Sequence, residues 1–165
     1  MPNQEYRHEY KFLITESDAS ALKSRLDAFL SRDGFHTESG GRYTVRSLYF
    51  DNASDQALRE KLCGVDEREK FRIRCYDEDT SFIRLEKKSK KHGLCRKTSV
   101  PLAREEVSAL IAGDSAFLRA SPHPLLNELA IKMTTLQLRP RALVIYDREA
   151  YAYPAGLLSA EQGGR

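Results

Sequence analysis

Residues 69–102, EKFRIRCYDEDTSFIRLEKKSKKHGLCRKTSVPL, read as three consecutive β-strands in which charged residues recur at every second position. Strand side chains alternate between the two faces. In FRIRCY, Arg72, Arg74 and Tyr76 therefore share one side, and Phe71, Ile73 and Cys75 share the other. After the acidic turn Asp77-Glu78-Asp79-Thr80, the run FIRLEKKSK places Arg84, Glu86, Lys88 and Lys90 on one face, with Ile83 and Leu85 opposite. A second turn at His92-Gly93 leads into LCRKTSVPL, a less cleanly sided strand. Cys95, Lys97 and Ser99 take one face there, and Leu94, Arg96, Thr98 and Val100 the other.

Between Glu69 and Lys97 there are ten Lys/Arg and five Asp/Glu, a balance of +5 in a chain whose total is +3. The rest of the chain is therefore −2, and the positive charge is concentrated on these strands. Like charges on neighbouring strands repel unless solvent, carboxylates or a bound anion compensate them. A solvated outer face explains one basic strand. Several in succession shift the balance away from that reading, and a polyanion is one such compensator.

At 165 residues, 41% hydrophobic and 31% charged, the chain is long enough for one domain with a sizeable core. No segment approaches the roughly 20 apolar residues of a membrane span, and MPNQEYRHEY is charged from the start. A cytoplasmic location is expected. Cys63, Cys75 and Cys95 are odd in number and lack CxxC spacing, which argues against a disulfide framework or a zinc knuckle. His8, His36, His92 and His123 show no ligand spacing.

The alternation in residues 5–14 predicts a first strand, with Arg7, Glu9, Lys11 and Leu13 on its charged side. Thr15 and Asp18 then signal an N-cap, and Ala21, Leu22, Leu26 and Phe29 recur at helical spacing before Asp33-Gly34. YTVRSLYFD is a strand with Val45, Ser47, Tyr49 and Asp51 on one side. Residues 52–62 predict a short helix ending at Gly64. Helical period returns in 103–112 and 115–138, the latter interrupted by SPHP, and RALVIYDREAY makes the last strand. The domain spans 1–154, and 155–165 reads as a disordered tail. Antiparallel strands with intervening helices predict an α+β domain. Glycine-rich nucleotide loops, HExxH and Ser/His/Asp signatures are absent from the sequence.

Six ordered blocks resemble the polyphosphate-polymerase domain of the vacuolar transporter chaperone family, within the triphosphate tunnel metalloenzymes. They are RHEYKF at Arg7, SLYFDN at Ser47, KLCGVDEREKFRIRCY at Lys61, RLEKKSK at Arg84, CRKTSVPL at Cys95 and PRALVIYDREAY at Pro140. The resemblance implies an antiparallel eight-stranded β-barrel with flanking helices, whose tunnel grips triphosphate or polyphosphate. Position by position, Lys11, Arg72, Arg74, Lys88, Lys97 and Arg148 match the phosphate-gripping positions, with Arg72, Arg74 and Lys88 nearest the implied chemistry. Glu86 and Glu9 are the carboxylates implied to hold Mn²⁺ or Mg²⁺. Arginine suits bidentate contacts with phosphate, and lysine acts as a mobile point charge.

The implied reaction moves the γ-phosphoryl of ATP onto a growing polyphosphate, in line, with no protein nucleophile. Two departures qualify it. Arg7 stands where the tunnel phosphatases begin an ExExK pattern, which weakens an inorganic triphosphatase reading. Nothing after Tyr153 matches the family's last strands, so the barrel is expected to be incomplete, and its open edges to favour self-association. A noncatalytic polyphosphate- or nucleotide-binding module remains an alternative. Nucleic acid is not the expected partner, because FRIRCY lacks interleaved stacking aromatics.

Overall fold

The computed structural model describes residues 6, 8–32 and 41–153; the expected tail at 155–165 and the Arg7 position lie outside them. In chain order the elements are α1 (Glu16–Phe29), β1 (Ser31–Arg32), β2 (Arg42–Asp51), α2 (Gln56–Leu62), β3 (Arg68–Tyr76), β4 (Asp79–Lys91), β5 (Leu94–Leu102), α3 (Arg104–Ala112), α4 (Ala116–Ala120), α5 (Pro124–Thr135), β6 (Arg139–Glu149) and β7 (Tyr151–Ala152). They fall into two units: Met1–Tyr10 with Val45–Tyr146, and Lys11–Thr44 with Asp147–Arg165.

The first unit is built on the charged meander. Asp77 adopts a positive φ of 51° at the β3–β4 reversal, and His92 and Gly93 (48° and 77°) do so at the β4–β5 reversal. Two consecutive positive φ values match the right-handed twist of a tight hairpin. Asp66 fixes this second turn, accepting hydrogen bonds from the backbone N–H groups of His92 (3.0 Å) and Gly93 (3.2 Å). The resulting antiparallel register sets Arg72 opposite Glu86 and Lys88 opposite Lys97, and β2 joins on the far side of β3 with Ser47 opposite Arg74. The five-stranded sheet runs β5-β4-β3-β2-β6. Among the described residues it is an open α+β sheet and does not close into a barrel.

The expected strand parity holds. Phe71, Ile73, Leu85 and Val100 point to a core completed by Leu110 of α3, Leu118 of α4, and Leu125, Leu129 and Met133 of α5. Pro124 opens α5 at a position where its missing N–H costs nothing, and His123 caps it by accepting the Leu125 N–H at Nδ1 (3.2 Å). Asp51 accepts the Ala57 and Leu58 amides (3.0 and 3.1 Å), tying α2 to the end of β2.

The second unit contains α1 and the β1–β7 ladder, in which Ser31 pairs Ala152 and Arg32 pairs Tyr151. Thr15 and Asp18 form the predicted capping box, each side chain accepting the other's backbone N–H at 3.1 Å. The expected strand over 5–14 is not formed in its described part. Residues 8–14 have no regular structure, and Phe12 is 82% exposed. Alternation says which side chains would share a face of a strand; it does not by itself make the backbone extend into a ladder.

Burial within α5 separates structural from neutral positions. Leu129→Ala should destabilise by about 3 kcal/mol in urea denaturation, whereas Ile131→Ala, on the exposed side of the same helix, should stay within about 0.5 kcal/mol.

Candidate functional site

Cross-strand register turns the alternating cations into rows on the sheet face opposite the core. One row reads Tyr49, Arg72, Glu86, Ser99; the next reads Ser47, Arg74, Arg84, Pro101; a third reads Lys70, Lys88, Lys97. The third row is a lysine ladder, and Arg74 lies directly across from Arg84. Residues of like charge face one another because strand parity put them there, and each such pair is destabilising by itself.

Glu86 compensates them from the middle. Its side chain is 2% exposed, and Oε2 accepts both Nε (2.8 Å) and Nη2 (2.6 Å) of Arg72. Arg74 Nε lies 3.9 Å from the same oxygen, and Lys97 Nζ 3.6 Å from Oε1. Burial pushes the Glu86 carboxyl up, but Arg72, then Arg74 and Lys97, outweigh it and hold the group below its ordinary range. The remaining donors are also placed. Arg72 Nη1 donates to the Tyr49 hydroxyl (2.9 Å), while Arg74 donates to Ser47 (3.1 Å) and Tyr146 (3.1 Å). Burial pushes the Tyr49 hydroxyl up, yet Arg72, Lys70 and Arg74 together bring it below its usual value.

Five of the expected site residues, Arg72, Arg74, Glu86, Lys88 and Lys97, thus share one face of the first unit. Glu9 joins them as the ion-pair partner of Lys88. Lys11 and Arg148 belong to the second unit. Lys11 lies in the segment before α1, and the Arg148 guanidinium sits 5.9 Å from the Tyr43 ring centre. Asp147, on the opposite strand face from Arg148, accepts from Arg42 (2.6 Å) and Thr44 (2.8 Å).

Sequence reasoning missed Ser47, Tyr49 and Tyr146 as the groups that hold the two arginines. Parity placed Ser47 and Tyr49 on a common face, but only register reveals which arginine each one meets. A lysine such as Lys87, near a hairpin end, is most simply a solvated residue. Instead it faces the helix side, between Glu69 (2.7 Å) and Glu128 of α5, with its ammonium over the Phe71 ring. Its odd number gives it the parity of Leu85, and α5 covers that face.

The carboxylates do not fit a resident divalent cation. Mg²⁺ and Mn²⁺ favour sites rich in oxygen ligands. Among the described residues no group of three or more His, Cys, Asp or Glu side chains is arranged to hold a metal. Glu86 is enclosed by three cations that would repel a dication, and Glu9 is engaged by Lys88.

Removing Glu86 leaves Arg72 buried without its counter-charge. Glu86→Ala should cost about 3 kcal/mol or more in urea denaturation at neutral pH. The depressed carboxyl sets the pH dependence. Its contribution is complete above the ordinary Glu value of about 4.3 and is lost as pH falls through the lower, folded value. The stability gap between wild type and Glu86→Gln should therefore narrow on acidification, and a gap unchanged down to the acid transition would refute the assignment.

Comparison with known proteins agrees with this face. No curated protein matches the chain. The family model described as the VTC domain matches residues 6–157, which takes in the whole meander, the helices above it and β6. The chain belongs to the VTC domain family, that of the vacuolar transporter chaperone polyphosphate polymerase domain.

Proposed function

We propose that the basic face of β2–β5 binds linear phosphate polyanions, triphosphate or polyphosphate, as one wall of a phosphate tunnel. The reaction proposed for it is transfer of the ATP γ-phosphoryl to a growing polyphosphate chain. Family membership supplies the polyphosphate context. The observation that carries the reading is the arrangement of Arg72, Arg74, Arg84 and the lysine ladder around the buried carboxylate of Glu86. A chain of phosphates presents repeated negative charge at short spacing, and β3 presents Lys70, Arg72 and Arg74 at every second residue, flanked on β4 and β5 by Arg84, Lys88 and Lys97. Lys97 is half exposed, while Arg72 and Arg74 are almost buried. The first recruits by charge, and the others offer fixed donors.

Such a site acts by positioning and electrostatics. Held guanidinium groups stabilise charge on the transferred phosphoryl without reorganising at the moment of transfer. Mn²⁺ or Mg²⁺ is proposed as the counter-ion that the phosphate chain brings with it. The carboxylate arrangement equally favours a second reading, a noncatalytic polyphosphate- or nucleotide-binding module.

Calorimetric titration of tripolyphosphate, with and without Mn²⁺, tests the site. Binding should weaken steeply with added salt and fall about tenfold or more in Lys88→Ala/Lys97→Ala, which leaves the buried Arg72–Glu86 pair intact. Arg72→Ala/Arg74→Ala should abolish it. Equal affinity in the lysine variant, or preferential competition by single-stranded RNA, would overturn the reading. Incubation with ATP and Mn²⁺ separates the two functions: chain growth supports the polymerase, and binding without turnover supports the module.

A further inference from the structure

Arg72 is held from two sides, by the buried Glu86 carboxylate and by the hydroxyl of Tyr49, its partner on β2 in the cross-strand register. A guanidinium carries donors and no acceptor. In the 2.9 Å contact between Arg72 Nη1 and Tyr49 the phenolic oxygen is therefore the acceptor, and its own proton is left to point elsewhere. Among the described residues no acceptor takes that proton. Ser47 accepts from Arg74 in the same way, but Ser47 is fully buried, whereas Tyr49 keeps part of its surface in solvent.

The surrounding cations sharpen this donor. Lys70 Nζ lies 5.3 Å and the Arg72 guanidinium 5.8 Å from the centre of the Tyr49 ring. A hydroxyl that accepts a hydrogen bond from a cation is polarised and donates its own more strongly. The acidity of the phenol agrees: burial pushes it up, but Arg72, Lys70 and Arg74 outweigh burial and favour release of the proton. Arg72 also keeps donors in reserve. Of the five N–H groups of a guanidinium, Glu86 takes two and Tyr49 one, which leaves one on each terminal nitrogen among the described residues.

We propose that Tyr49 is a further anion-binding residue of this face: its oxygen accepts from Arg72 while its hydroxyl gives its own proton to an oxygen of the phosphate chain beside that arginine. The inference rests on the phosphate-binding reading of the face and adds a donor of a different kind. Arg74 already faces Arg84, and Lys70, Lys88 and Lys97 already form a ladder, so another cation there would add to their repulsion. A hydroxyl supplies a directed hydrogen bond without charge.

Calorimetric titration of tripolyphosphate into the full chain tests this with two substitutions. Tyr49→Phe keeps the ring beside Lys70 and Arg72 and should weaken binding about tenfold. That loss alone would also follow if Tyr49 merely steadied Arg72. Replacing Tyr49 by meta-fluorotyrosine separates the two roles, because fluorine makes the hydroxyl a stronger donor and a weaker acceptor. At mildly acidic pH, where the fluorinated phenol keeps its proton, the fluorotyrosine protein should bind tripolyphosphate more tightly than wild type. Urea denaturation checks that both variants are folded. Weaker or unchanged binding by the fluorotyrosine protein would reduce Tyr49 to a support for Arg72 and overturn the proposal, as would wild-type affinity in Tyr49→Phe. Either result beside a weakened Lys88→Ala/Lys97→Ala variant would leave the phosphate-binding reading standing, whereas no binding by wild type would overturn both.

Discussion

The sheet depends on one buried carboxylate. Two unit charges of like sign at about 5.5 Å repel by roughly 3 kcal/mol at an effective dielectric constant of 20. The Arg74–Arg84 and Lys70–Lys88–Lys97 juxtapositions set like charges across neighbouring strands on one face. Glu86 lies opposite Arg72 and within 4 Å of nitrogens from Arg74 and Lys97. It offsets repulsion along two rows at once. The opposite face supplies what electrostatics does not: Phe71, Ile73 and Leu85 bury their apolar area beneath three helices. Charge on one side is tolerated because packing on the other fixes the strands.

The same interaction shapes the chemistry. Arg72 has each of its three nitrogens engaged, by Glu86 and Tyr49, and Arg74 is held by Ser47 and Tyr146. Guanidinium groups held in this way lose little rotamer freedom when an anion arrives, so the ordering cost is met during folding. The cost is a carboxylate at the centre of the face proposed to bind phosphate. Glu86 lowers the local positive potential while keeping the arginines aimed. Lys97, also within reach of Glu86, keeps its side chain half exposed at the solvent end of the lysine ladder.

Much of this was legible in the alternation alone. A period of two named the two faces of β3 and β4 correctly, and the paired turns at Asp77 and His92-Gly93 marked where the chain reverses. Parity does not specify register, however. The sequence therefore named Arg72, Arg74 and Glu86 but not the Tyr49, Ser47 and Tyr146 partners that complete them. Nor does alternation specify a partner strand, which is why residues 8–14 carry a strand-like pattern without forming one. Lys87 fails for a related reason. Its charge suggested solvent, but its odd position placed it under α5, where Glu69 and Glu128 make burial tolerable.

The two edges of the sheet are not equivalent, although both are open among the described residues. The centre of β5 carries Arg96 and Lys97, with Pro101 near its end, a combination that disfavours addition of another strand. In β6 the order is reversed, with apolar residues at the centre and charges toward the ends. Charge in the middle of an edge repels every register of a second copy. The β5 edge is therefore protected by composition, whereas β6 keeps its charges toward the two ends of the strand.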